Sequence, residues 1–239
     1  MGAAPAGARV VIGLDVGTTA AKVSAFALGG GWRGGAVNEY PLQQPQPGWE
    51  VQDPEVMWRA LREGLAEMAA QLGDAQVVGI GVSTAMHGLI GLDADHRPLT
   101  PLLTWADSRA AEQALKLRDT ELGRRLHHTS GTPVHSMSHL TKLLWYGAHE
   151  PDLLAAARWW VGLKDFIVYQ LTGELVTEVS NASGTGLLDL ASLTWNPEAL
   201  ELVGVGVDRL PPVRATTDAL PLTDSLADQV GLPRGLPVV

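Results

Sequence analysis

Residues 9–15, RVVIGLD, form a short apolar run that ends in an acid, and residues 22–28 form a second β-like run. Val16-Gly17-Thr18-Thr19 between them is a turn signal, so the segment reads as a hairpin. An acid at the end of a buried strand, here Asp15, can hold Mg²⁺ directly or through water. Gly17 permits a tight turn with positive φ. Such a turn points backbone N–H groups and the Thr18 and Thr19 hydroxyls at one spot, which makes a nest for a phosphate group. Lys22 adds a positive charge for a phosphoryl group in transfer. The competing reading is a plain hairpin turn capped by the Asp15 side chain.

The periodicity beyond the hairpin predicts an α/β chain. Gly29-Gly30-Gly31 marks a turn, and residues 34–40 read as a third strand. Asp53 caps a helix whose Val56, Leu61, Leu65, Met68 and Leu72 recur at helical spacing, and Gly73 stops it. Residues 77–83 read as a buried strand, and residues 89–92 and 98–103 flank the turn at 93–96. Residues 108–126, 139–148 and 163–171 read as helices, and residues 185–190 as a strand. Pro211-Pro212 marks an extended connector, and residues 236–239 read as the start of a strand. Strands, a helix, more strands and then helices suit a mixed sheet with helices on both faces. The chain has no internal repeat and no low-complexity tract.

Composition removes several classes of function. The chain has 239 residues and no cysteine, so disulfides, thiolate metal sites and cysteine nucleophiles are excluded. A reducing, cytoplasmic compartment fits. Net charge is −9 and the basic residues are scattered, with Arg124-Arg125 the only adjacent pair, so no nucleic-acid partner is expected. Residues 1–8 are small and read as a flexible tail rather than a signal peptide. The uncharged run at 76–92 contains four glycines and His87 and breaks into two β-like pieces, so no membrane span is expected. The mononucleotide loop GxxxxGK[ST] is absent. Gly79-Ile80-Gly81 lacks the third glycine of a dinucleotide motif and reads as a close-packed strand.

Four further clusters bear chemistry. Ser83-Thr84-Ala85-Met86-His87-Gly88 sits at a strand end, where ligands bind open α/β sheets. His87 can donate a hydrogen bond to a hydroxyl or a carboxylate, although a lone histidine is more often structural. Trp105-Ala106-Asp107-Ser108-Arg109 offers an indole face for a sugar's C–H face. Asp107 there either contacts substrate or caps the following helix and pairs with Arg109. His135-Ser136-Met137-Ser138-His139-Leu140-Thr141-Lys142-Leu143-Leu144-Trp145 begins polar, fit to line a pocket, and continues as an amphipathic helix whose Leu143, Leu144 and Trp145 suit a core. Asn181-Ala182-Ser183-Gly184-Thr185-Gly186-Leu187 reads equally as a tight loop into a strand or as a wall of the site.

Together and in this order, the DxGTT hairpin, MHG, WADSR, the M-S-x-x-T-K-x-x-W segment and NASGTG resemble the FGGY carbohydrate kinases, a branch of the actin–hexokinase–Hsp70 superfamily. The resemblance implies a ribonuclease-H-like (actin-like ATPase) domain with a mixed five-stranded sheet. Residues 9–231 would be the N-terminal, sugar-binding domain. Residues 232–239 would start the connection to a second domain that carries the adenine site. The implied cofactors are ATP and Mg²⁺. By motif, Asp15 stands for the Mg²⁺-linked acid, and Gly17, Thr18, Thr19 and Lys22 for the phosphate turn. Met86, His87, Trp105, Asp107, His135 and Met137 stand for the substrate contacts. The family's catalytic base is an aspartate expected just after Val239. Within the family the chain is most similar to gluconate kinases, which implies conversion of D-gluconate to 6-phosphogluconate. Met-His-Gly is also similar to xylulose kinases, so a pentulose kinase domain or a non-catalytic sugar-binding module stays open, as does a homodimer. His139 departs from the proline or small hydroxyl residue common at its position, which affects either the pocket or only the start of the helix.

Overall fold

The computed structural model describes residues 7–239. Most of the tail expected over 1–8 therefore lies outside the described residues. Three strands follow one another: β1 (Arg9–Val16), β2 (Ala20–Ala27) and β3 (Arg33–Glu39). Helix α1 (Pro54–Leu72) leads into β4 (Gln76–Thr84). Two short strands, β5 (Leu220–Pro221) and β6 (Pro237–Val238), complete the sheet in the order β5-β6-β4-β1-β2-β3. β1 runs parallel to β4 and antiparallel to β2, and β6 runs parallel to β4. The five expected strands are present, and two-residue β5 adds a sixth at the edge.

Asp53 caps α1 as expected, its carboxylate accepting from the Glu55 N–H at 2.8 Å. The stripe Met57, Leu61, Leu65, Met68 and Leu72 is buried on Val10, Ile12, Leu14, Val23 and Ala25 of the sheet. The sequence reading puts helices on both faces of the sheet. Among the described residues, α1, α6 (Leu163–Thr172) and α9 (Asp224–Val230) contribute to one core on one face only. The strand pattern explains this. β1 and β2 alternate buried with open positions, as a sheet with one covered face does. Gly13, Asp15, Lys22, Ser24, Phe26, Gly35 and Val37 share the open side.

A second core gathers beside the sheet. It holds Leu143, Trp145, Tyr146, Trp160, Leu187 and Leu200. Its helices are α2 (Ala111–Arg118), α3 (Glu121–Ser130), α4 (His139–His149), α5 (Pro151–Ala156) and α8 (Pro197–Val203), and α7 (Val179–Ser183) packs on the short strands Thr177–Glu178, Leu188–Asp189 and Val213–Arg214. The single helix expected over 108–126 is thus two. The Thr120 hydroxyl accepts from the Gly123 N–H at 3.0 Å and starts α3 afresh, a side-chain cap winning over continued periodicity. The strand expected over 185–190 shrinks to Leu188–Asp189, paired with Thr194–Trp195. Residues 182–187 are instead tied up by local bonds from Thr185.

Candidate acceptor and phosphate site

The turn after β1 is the best-supported element of the site. Its carbonyls are fixed from outside: the Tyr40 hydroxyl donates to Gly17 O at 2.7 Å, and Gln52 Nε2 donates to Thr18 O at 2.7 Å. The Tyr40 N–H donates to Thr19 O at 3.1 Å. Among the described residues, the Thr18 and Thr19 N–H groups donate to nothing else in the chain, as a nest for an anion requires. Gly17 does not adopt the positive φ that the sequence suggests. A Cβ there would meet Ala20 O at 3.5 Å, an ordinary contact, so no left-handed backbone is needed for this turn. Asp15 and Lys22 are cross-strand partners on the open side, with Nζ 3.4 Å from the carboxylate and both side chains about half exposed.

Two further segments, distant in sequence, meet this turn. Trp105 Nε1 donates to Thr18 Oγ1 at 3.1 Å, which leaves the indole 51% exposed. The turn at 85–88 starts from the Ala85 N–H donating to Val16 O at 2.8 Å and carries Met86, which is 43% exposed. An apolar thioether and an indole face left in solvent beside this turn suit the C–H surface of a polyol.

His87 is held in the left-handed region at φ 63°, a costly conformation for a residue with a Cβ. Its Nδ1 lies 3.0 Å from the Gly184 carbonyl. A carbonyl only accepts, so Nδ1 carries the proton and Nε2 presents a lone pair. Burial lowers the ring's pKa, the Gly184 carbonyl opposes it, and Lys142 and His135 lower it further. The ring is therefore neutral near pH 7 and accepts from a hydroxyl at Nε2. The sequence reading has it donating to a hydroxyl or carboxylate, and the bond to Gly184 reverses that polarity.

The other expected contacts divide. His135 is exposed near His87, and its ring Nδ1 accepts from the Met137 N–H at 3.2 Å. Met137 is half-buried at the start of α4. Asp107 is in the interior, 1% exposed, and its carboxylate is fully committed. It takes two bonds from the Arg109 guanidinium, at 2.9 and 2.8 Å, and one from the Glu50 N–H at 2.9 Å. The pairing alternative for Asp107 therefore prevails over substrate contact. His139 is also inside, with Nε2 2.8 Å from the Gly88 carbonyl and its pKa pushed down to about 3, mainly by burial. It stays neutral and braces the 85–88 turn rather than facing the pocket.

Sequence reasoning missed three supports. Tyr40 and Gln52 hold the turn at residues 17–19. Lys142 is completely buried, and its ammonium donates to the carbonyls of His87 (2.6 Å), Leu103 (3.0 Å) and Thr104 (2.8 Å). A lysine between buried Thr141 and Leu143 was the available signal, since a buried ammonium demands several acceptors.

For Mg²⁺ the fit is narrow. Among the described residues no group of three or more His, Asp or Glu side chains is placed to hold a metal. One carboxylate, Asp15, fits an ion whose remaining ligands are phosphate oxygens and water. Among the described residues no helix is long and apolar enough to cross a membrane.

Residues 10–239 match the profile of the FGGY family of carbohydrate kinases, N-terminal domain. The chain is 32% identical over 230 residues to a gluconokinase of Bacillus subtilis, covering 96% of this chain and 45% of that protein. It is 30% identical over 230 residues to a xylulose kinase of the same organism, covering 95% and 45%. A crystal structure of gluconate kinase from Lactobacillus acidophilus superposes with a TM-score of 0.92 at 30% identity, covering 97% of this chain and 47% of that one. The chain thus spans about half the length of the curated relatives it matches.

Proposed function

Because the chain belongs to the FGGY family of carbohydrate kinases, we propose that it is the acceptor-binding half of an enzyme that transfers a phosphoryl group from ATP to a sugar or sugar acid, D-gluconate first. The observation that carries this reading is the Trp105–Thr18 hydrogen bond, which sets the exposed indole against the phosphate turn. An acceptor lying on Trp105 and Met86 would have a hydroxyl within reach of the nest formed by the Thr18 and Thr19 N–H groups. Phosphoryl transfer depends chiefly on such positioning and on charge neutralisation. In this reading Asp15 would hold Mg²⁺, which would supply charge neutralisation for the phosphate. Thr18, Thr19 and Lys22 hold the phosphoryl group, and His87 Nε2 accepts from an acceptor hydroxyl. The base that removes the hydroxyl proton and the adenine site fall to the half of the relatives that this chain does not match.

Gluconate is supported by the similarity to gluconokinases at 32% identity. Xylulose is the second reading, favoured by the neutral, accepting His87, which suits a hydroxyl better than a carboxylate. Initial rates of the full-length protein with gluconate, xylulose and glycerol separate the two. Gluconate should give the highest kcat/KM. A preference for xylulose overturns the substrate choice, and no ATP-dependent phosphorylation of any of the three overturns the kinase reading.

Gly184→Ala probes the His87 arrangement. A Cβ at 184 would lie 2.8 Å from the tip of Met86 and 3.3 Å from His87 Cε1, with no strain in the backbone. The Met86 terminus can swing away, so the acceptor KM should rise roughly 3- to 10-fold, short of the ~10²-fold that an ångström of misplacement can cost. Steady-state kinetics with ATP KM as the internal control check this.

A further inference from the structure

Lys142 stands out because it belongs to neither the phosphate turn nor the pocket surface, yet it joins the segments that carry both. Its three ammonium donors meet three backbone carbonyls and no side chain. One carbonyl, His87 O, is in the turn bearing Met86 and His87. The other two, Leu103 O and Thr104 O, immediately precede Trp105. Among the described residues no carboxylate comes within ion-pair distance of it, and Asp107, whose charge it feels, is paired with Arg109.

We propose that Lys142 is a positioning residue for acceptor binding: its buried ammonium fixes the distance between the His87 turn and the Trp105 loop, and thereby the spacing of the acceptor's two walls. This rests on the acceptor-site reading above. Three observations argue for it. The shortest of the three bonds goes to His87, the residue held at φ 63°, so the clamp acts where the backbone has most reason to relax. Two of the clamped carbonyls lie outside regular structure, His87 between β4 and the strand Ile90–Leu92 and Thr104 between Leu102–Leu103 and α2, whereas Leu103 ends its strand and is already bridged to Leu89 by backbone bonds of 3.1 and 2.9 Å, so the lysine holds the segments beyond that bridge. The lysine has the donor geometry the site needs, because three N–H bonds diverge from one nitrogen, whereas the planar guanidinium of arginine cannot point at three carbonyls from a single centre. Three carbonyl acceptors at 2.6–3.0 Å call for all three N–H donors and so for the ammonium form, which these bonds favour against the desolvation that lowers its pKa to about 7.

The test is Lys142→Met in the full-length protein, with Lys142→Gln, which keeps two donors, as the graded variant. The Met variant should raise the acceptor KM at least tenfold while ATP KM stays within about twofold, and the Gln variant should fall between Met and wild type. A folded Met variant with an unchanged acceptor KM overturns the proposal, even if its Tm drops. A parallel rise in both KM values also overturns it, because a general loosening would weaken both sites. If neither variant folds, the lysine supports the fold rather than the pocket spacing, and the proposal fails. If the wild-type protein phosphorylates no polyol or sugar acid, the acceptor reading itself has failed, which is a distinct result.

Discussion

Asp15→Asn should lower turnover of the full-length protein on the order of 10²- to 10³-fold, the loss seen when one preorganised charge-stabilising group is removed from a transition state. The substitution is nearly isosteric and changes only the charge. Asp15 is half exposed at the end of β1, and its ion-pair partner is Lys22 at 3.4 Å, itself half exposed. Exposed pairs of this kind contribute little to stability. The melting temperature should therefore move by no more than about 4 °C in a chain of this size. Acceptor KM should change little, because Met86, His87 and Trp105 stand on other segments. The Mg²⁺ concentration for half-maximal rate should rise, since the amide is a poor ligand for a hard cation. Rates and Mg²⁺ titrations with purified wild-type and variant protein check each point. Turnover within threefold of wild type would remove Asp15 from the phosphate site and return the segment to a capped hairpin turn.

The sequence showed this turn clearly for a physical reason. Its function lies in side chains and a backbone turn contiguous in the chain, and alternation across residues 9–28 marks both strands. Helix α1 was equally plain, because Asp53, the apolar stripe and Gly73 mark its start, face and stop within one window. Legibility falls where structure depends on distant backbone. Lys142 is defined by the carbonyls of residues 87, 103 and 104, and carbonyls leave no mark on residue identity. The proton position on His87 is set by the Gly184 carbonyl, 97 residues away, so its role as acceptor could not be read locally. The break between α2 and α3 was legible in principle, because Thr120 is a strong N-cap residue, but helical periodicity on both sides concealed it. The open face of the sheet was also written in the alternation of β1 and β2. It was overridden by the expectation that an α/β sheet carries helices on both sides.

Asp107 supplies the largest stability effect. Asp107→Ala should destabilise the fold by about 3–5 kcal/mol, the cost of leaving a buried charge without its partner. In a chain of this size that corresponds to a fall in melting temperature of roughly 6–20 °C. The reasons lie in what remains behind. The Arg109 guanidinium, 4% exposed, would stay between Trp49 and Trp145, 3.7 and 5.0 Å from their ring centres, with no counter-charge. The Glu50 N–H would lose its acceptor. Arg109→Met should be similarly harmful, since it strands the Asp107 carboxylate in the same interior. The double variant Asp107→Leu/Arg109→Met should be less destabilised than the sum of the two single variants, because an apolar pair removes both desolvation penalties together. Thermal unfolding of the four proteins closes the cycle. The same experiment bears on the site. If Asp107→Ala keeps its melting temperature and loses only acceptor affinity, the carboxylate faces substrate and the buried pairing with Arg109 is wrong. If it loses stability as expected, the carboxylate serves the interior ion pair with Arg109, held against Trp49 and Trp145, and not the acceptor.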